Sequence, residues 1–381
     1  MGSKPAHGHT AKRRTGLWLT IAIVVVAVAV AGTGAALYLH NNKGGTAAAT
    51  PPPAVAPLDI VGTTPATGAT NVAPSTALTV ALSTPLAAGS ALPFFTPAIP
   101  GNWSDLSVNE LQFVADGPLV PGAQETMTLP GGPTGMLAAD GQRLGKTVTV
   151  SFSVAPGSTL RLQQLLAQLG YLPVSFTAAS QPTSPQQEAD PQQGTWSWRW
   201  ANLPTALTSL WTPGSANVIT KGAVMAFETQ HGLATTGTAG PATWTDLLQA
   251  AAAGTTDPQP YAYVYVSKTL PESATVYQNG AQVYSTPANT GVAAAPTATG
   301  TFPVYARYKS TTMTGTNPTG SHYVDPGIPW VSYFNGGDAL HGYVRGSYGF
   351  PQSDGCVEMP PANAAVVWPL TPLGTLVTVA Q

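Results

Sequence analysis

Cysteine is almost absent: among 381 residues, Cys356 is the only one. A lone thiol cannot staple its own fold, so it is an inert buried group, a link to another chain, or a nucleophile. Charge is scarce as well. Charged side chains make up 8% of the chain, against about 25% in an ordinary soluble protein. Five of the 14 basic residues fall in the first 43 positions, and no acid precedes Asp59. From Asp59 onward, 9 basic and 16 acidic residues leave a balance of −7. No basic patch remains to grip phosphates, which excludes a nucleic-acid partner. What fills the gap is Ala, Thr, 40 Gly and 37 Pro, a mixture suited to short strands, turns and linkers. The hydrophobic share of 43% excludes wholesale disorder. The length leaves room for two or three domains.

Leu17 to Leu39 is a run of 23 residues without a charged side chain. As a helix it would be about 34 Å long, enough to cross a bilayer. Lys12, Arg13 and Arg14 precede it, so the positive-inside rule keeps residues 1–16 in the cytoplasm as a tail and places the rest outside. A cleaved signal peptide is the competing reading. Its apolar core usually spans about 7–15 residues, and no clear A-x-A site follows this longer run. An uncleaved single-pass anchor over 17–39 is therefore expected, with the catalytic part of the chain at the outer face of the cell membrane.

Residues 40–57, with Pro51-Pro52-Pro53 in their midst, read as an extended spacer. Residues 58–155 show short alternating runs broken by turns, such as Leu78–Leu82 and Thr147–Phe152, and suggest a small β-sandwich. Pro65–Val72 and Leu119–Gly122 in this stretch resemble bacterial Ig-like modules. Residues 156–256 change character. Leu162, Leu165, Leu166 and Leu169 form one helical stripe ended by Gly170. A second helix is predicted around Lys221–Gln230, and a third opens at Pro241. The order of these pieces, with Ala223–Glu228, Gly232-Leu233 and Thr236-Gly237, resembles a three-helix peptidoglycan-binding domain. An insertion between the first two helices carries Trp196, Trp198, Trp200 and Trp211, read either as a satellite core or as an aromatic platform for a sugar or peptide. Residues 257–381 are mostly β. Tyr261–Val266 alternates with period two, and Asn279-Gly280 is a two-residue hairpin turn.

The chemistry concentrates between His341 and Pro360. His341 stands 15 residues before Cys356. A thiol attacks an acyl carbon as thiolate, and an imidazole can take its proton and return one to a leaving amine. Gly355 lets the backbone approach a substrate closely, and N–H groups at such a turn can hold an oxyanion.

Thr299–Val304, Pro329–Phe334, His341-Gly342 and Ser353–Val357 together resemble an L,D-transpeptidase catalytic domain. The resemblance implies a mostly-β fold acting on peptidoglycan stem peptides. A cysteine acyl-enzyme forms at the third stem residue, the terminal D-Ala leaves, and a second stem's amine makes a 3→3 cross-link. It also implies inhibition by carbapenem-type β-lactams. Residue by residue, Cys356 is the nucleophile and His341 the base. Gly355 and Cys356 supply oxyanion N–H groups, the Gly342 carbonyl orients His341, and Ser353 holds the small-hydroxyl position.

The chain departs from that pattern. The family motif reads Ser/Thr-His-Gly-Cys, then a hydrophobic residue, then Asn or Arg. Here Asp354 replaces the second His and Glu358 the Asn/Arg, and the His-to-Cys spacing is short. Two carboxylates near a thiol oppose its ionisation. An inactive wall-binding scaffold and an L,D-carboxypeptidase that passes the acyl group to water are therefore the alternative functions. Arg345 reads as a clamp on the donor carboxylate, or as a salt-bridge partner of Asp338, Asp354 or Glu358. Tyr323, Trp330, Tyr343 and His322 are further candidates for the substrate groove. His322, Asp325, His341 and Cys356 could mimic a metal site, yet no paired-ligand motif is present, so neither metal nor cofactor is expected.

Overall fold

A computed structural model describes residues 56–381. The expected tail, the anchor at 17–39 and all but the end of the 40–57 spacer lie outside the described residues. Among those described, no helix is long and apolar enough to cross a membrane.

The first domain is a β-sandwich. Its strands are β1 (Ile60–Thr64), β2 (Leu78–Leu82), β3 (Phe94–Thr96), β4 (Gly101–Ser107), β5 (Glu110–Ala115), β6 (Gln124–Leu129) and β7 (Val148–Ser153). They form a β1-β2-β5-β4 sheet and a β3-β6-β7 sheet. Alternation sets the inward faces: Leu78, Val80 and Leu82 are buried on β2. Phe113 packs 4.9 Å from Phe95 and 5.3 Å from Trp103, ring centre to ring centre. On β6 the inward positions are Glu125, Met127 and Leu129, so a carboxyl group points the same way as two core side chains.

Three helices follow: α1 (Thr159–Gln168), then, after an insertion, α3 (Val218–Gln230) and α4 (Pro241–Ala253). The insertion holds β8 (Val174–Ala178), β9 (Gly194–Trp198) and the single turn α2 (Thr205–Thr208). Ser158 caps α1 by accepting from the Arg161 N–H (3.0 Å), and Asn217 caps α3 by accepting from the Thr220 N–H (2.8 Å). The second helix thus starts three residues earlier than its apolar stripe suggests, at the cap. Leu165, Leu166, Phe227, Trp244 and Leu247 share one core. Glu228 is buried there, and its carboxylate accepts from the N–H groups of Thr236 (2.6 Å) and Gly237 (2.8 Å) and from the hydroxyls of Thr236 (2.9 Å) and Thr243 (3.2 Å). Trp196 packs between Phe176 and Trp211, and Trp200 stacks on Tyr261, while Trp198 is exposed.

The C-terminal domain has two sheets. One runs β12 (Ala281–Pro287), β11 (Ser273–Gln278), β10 (Ala262–Ser267), β18 (Leu376–Ala380), β13 (Gly300–Pro303). The other runs β14 (Ala306–Thr316), β15 (His322–Asn335), β16 (Asp338–Gly342), β17 (Val357–Met359), with α5 (Pro361–Val367) against it. The first sheet is a middle layer. Tyr263 and Leu376 face the helical core, while Val264, Val266, Val377 and Val379 share a core with Phe334, Leu340 and Val357 of the second sheet. The Thr301–Tyr308 stretch divides between the sheets: β13 pairs with β18, and β14 pairs with β15.

Burial pushes the Glu125 carboxyl up from 4.5 to about 7, and its Oε2 has no hydrogen-bond partner among the described residues. The sandwich should therefore lose up to about 3 kcal/mol as pH rises from 4.5 through 7, where only the folded state holds the proton. Unfolding followed by Trp103 fluorescence across that range should show the slope, and Glu125→Gln should flatten it. In the helical core, Glu228→Ala should cost about 3 kcal/mol, because two backbone donors lose a charged acceptor. The readout is faster hydrogen exchange at the Thr236 and Gly237 amides.

Candidate active site

β16 and β17 are parallel neighbours, with Leu340 opposite Val357 and His341 opposite Glu358. Leu340 and Val357 turn into the core, so His341 and Glu358 turn to the other face. Cys356 directly precedes β17 and opens onto that same face. His341, Cys356, Glu358, Arg345, Tyr343 and Tyr323 line one cleft of about 490 Å³, within the usual range of ligand sites, roughly 300–1,000 Å³. Met313, Asp325 and Ile328 of the long β14–β15 hairpin form another wall.

His341 is buried, and its Nδ1 lies 3.1 Å from the Gly342 carbonyl. A carbonyl only accepts, so Nδ1 carries the hydrogen and Nε2 keeps a free lone pair. Burial lowers the imidazole's pKa, partly offset by that carbonyl. Cys356 is half-buried, and its thiol donates to the Gly337 carbonyl at 3.5 Å. Burial pushes the thiol up to about 12; the backbone N–H of Ala339 opposes the shift, and Asp338, Glu358 and Asp354 add to it. The resting pair is a neutral thiol beside a neutral imidazole. Among the described residues no hydrogen bond joins them.

The turn before the thiol is tightly specified. Ser353 is buried; its Oγ donates to the Cys356 carbonyl (2.5 Å) and accepts from the Gly355 N–H (3.3 Å). The hydroxyl therefore clamps the turn, and the Gly355 N–H, read from sequence as an oxyanion donor, is turned toward it. Gly355 has φ +116, and a Cβ there would meet Asp338 Oδ1 at 2.8 Å. Only glycine fits without strain.

Glu358 is answered by Arg345. The guanidinium forks onto it, Nε to Oε2 at 2.8 Å and Nη2 to Oε1 at 2.7 Å, reaches the Gln352 carbonyl at 3.2 Å, and lies over the Tyr343 ring. Arg345 lines the cleft but is committed to Glu358, so it is not a free clamp for a substrate carboxylate. Two of the substrate-groove candidates sit outside the cleft lining. His322 is exposed near the hairpin tip, 2.9 Å from Thr316 Oγ1. Trp330 has φ +60 and packs its ring against Trp368. Sequence reasoning missed Gly337 and the Met313 and Ile328 wall, and named Asp338 only as a partner for Arg345. The Gly336-Gly337-Asp338 turn three residues before His341 was the visible signal.

Asp354 is exposed and holds no partner in an ion pair among the described residues. Asp354→Asn removes a negative charge beside the thiol and should favour the thiolate. Iodoacetamide alkylation of Cys356 at pH 8 is expected to speed up about threefold, with the inflection of the rate–pH profile moving to lower pH.

Residues 261–379 match the family model of the YkuD L,D-transpeptidase catalytic domain, and residues 54–154 match that of a bacterial Ig-like domain. No curated protein matches the chain. Among solved structures, an L,D-transpeptidase from Mycobacterium smegmatis is 13% identical, with 86% of this chain and 100% of that one covered at a TM-score of 0.29. L,D-transpeptidase 3 from Mycobacterium tuberculosis, in complex with a faropenem-derived adduct, is 12% identical, with 84% and 98% covered at 0.30. The catalytic domain from the E. faecium L,D-transpeptidase is 24% identical, with 32% of this chain and 100% of that one covered at 0.29. These superpositions are loose, and the assignment rests on the two family models. The chain carries a YkuD-type L,D-transpeptidase catalytic domain at residues 261–379, with a bacterial Ig-like domain ahead of it at residues 54–154.

Proposed function

We propose that this L,D-transpeptidase forms 3→3 cross-links between peptidoglycan stems through an acyl-enzyme on Cys356. The observation that carries the reading is the chain's one thiol sharing a cleft with an imidazole whose Nδ1 is fixed on the Gly342 carbonyl. In the first half-reaction Sγ attacks the carbonyl carbon of the third stem residue, and the thiol proton passes to His341 Nε2. The C–N bond to D-Ala breaks, and the imidazolium gives its proton to the leaving amine. In the second, the acceptor stem's amine attacks the thioester, His341 takes the amine's proton, and the departing sulfur recovers it. A neutral resting pair suits this order, because the thiol ionises only as the proton moves to the base.

The rest of the proposal extends to residues 1–256. The run 17–39 anchors the chain with its N-terminus in the cytoplasm, residues 40–57 span outward, and the three helices bind the wall. The high pKa of the thiol favours a second reading, a wall-binding scaffold without turnover. A carboxypeptidase would share the first half-reaction and use water in the second.

Intact-protein mass spectrometry after incubation with a carbapenem should show one added mass on the parent chain and none on Cys356→Ala. His341→Ala should slow the adduct by about 100-fold. With disaccharide-tetrapeptide as substrate, a cross-linked dimer is expected. A trimmed monomer would indicate the carboxypeptidase, and an unmodified, folded parent chain the scaffold.

A further inference from the structure

A second concavity, larger than the active-site cleft at about 1020 Å³, lies where three distant stretches of chain meet. They are residues 116–118 after β5, the loop through residues 181–188, and residues 248–252 of α4. The junction is built before any ligand arrives. Gln186 Nε2 donates to the Ala115 carbonyl, and the buried Arg161 donates to the Glu188 carbonyl (2.7 Å) and carboxylate (3.3 Å).

The lining is neutral and polar. Gln168, Gln181, Gln249, Thr177 and Ser184 face it, and these five side chains have no hydrogen-bond partner among the described residues. Phe176 supplies an apolar ring, backed by Trp196 at 4.9 Å. Among the described residues no Lys, Arg or His lines the groove; its carboxylates are Asp116 and Glu188, the latter held by Arg161. A peptide stem with free carboxylates, or a phosphate polymer, would find no cation here and would meet like charge. Uncommitted amides each offer a donor and an acceptor, matching the hydroxyl and acetamido groups of a sugar. An aromatic ring suits the C–H face of a pyranose. We propose that this groove binds an uncharged glycan of N-acetylated hexose units. The site rests on the proposed wall binding by the helices, whose ligand chemistry it specifies, and stands separately from Cys356.

The test is calorimetric titration of the full-length chain, in detergent micelles, with the β-1,4-linked tetramer of N-acetylglucosamine. Saturable binding is expected, and it should be unchanged in Cys356→Ala. The pair Gln168→Ala with Gln249→Ala, both on exposed helix positions, should weaken it about tenfold, with circular dichroism and carbapenem adduct formation as in the parent. Maltotetraose, which lacks the acetamido groups, should bind at least about tenfold more weakly. Absence of saturable heat, equal affinity in the double variant, or displacement of the tetramer by a free stem tetrapeptide would overturn the proposal.

Discussion

The site depends on one pairing: β16 runs parallel to β17. Antiparallel neighbours can be joined by a two-residue turn, whereas parallel ones need a crossover of about a dozen residues or more. The fourteen residues from Tyr343 to Cys356 are that crossover. The separation of histidine and cysteine along the chain is thus the length of the connection that returns the chain beside its starting strand. The loop is pinned as it returns. Ser353 N–H donates to the Thr290 carbonyl (3.1 Å), Val292 N–H to the Ser353 carbonyl (2.9 Å), and Tyr348 Oη to the Tyr343 carbonyl (2.5 Å). Thr290 is in turn gripped by the buried Glu272 through its N–H (2.6 Å) and hydroxyl (2.7 Å). A thiol carried on a loop is thereby held as firmly as one on a strand.

The electrostatics of the cleft follow from where its few charges sit. Glu358 occupies the place where the family carries Asn or Arg, and the positive group arrives from the crossover loop as Arg345. Asp338, Glu358 and Asp354 all push the thiol upward, and the Arg345 guanidinium forked onto Glu358 is the one positive group paired with a carboxylate in the cleft among the described residues. Burial remains the largest cause of the thiol's high pKa, so the environment disfavours a standing thiolate.

Much of this was legible in the sequence. The alternation of Tyr261–Val266 marked β10, and its apolar character on both faces reflects a strand covered by helices on one side and a sheet on the other. Asn279-Gly280 sits in the hairpin turn with φ of 49 and 78. His341 and Cys356, singled out by residue type and spacing, line one cleft, and the Gly342 carbonyl that the resemblance paired with His341 lies 3.1 Å from its Nδ1. What could not be read is what long-range contacts decide. β15 runs on through Pro326 and Pro329, residues that usually break strands, because it pairs with β14 across a register shift between Thr311 and Met313. Arg345 had three possible carboxylate partners, and only the register of His341 against Glu358 selects one. Trp330 faced away for a similar reason, its positive φ turning the ring toward Trp368.

The middle-layer sheet has a consequence for how the chain can be cut. Tyr263 and Leu376, at the centre of the catalytic sheet, belong to the core of the three helices. Asp257, at the nominal seam, donates its N–H to the Leu169 carbonyl (2.7 Å) and accepts from Gln230 Nε2 (2.8 Å). A fragment starting at that seam would leave an aromatic and an aliphatic face in water on the strand pair that organises the whole sheet. The segment matched by the catalytic family model is therefore shorter than the unit that folds around it, and excision of the enzyme as a self-standing piece has to take the helices along.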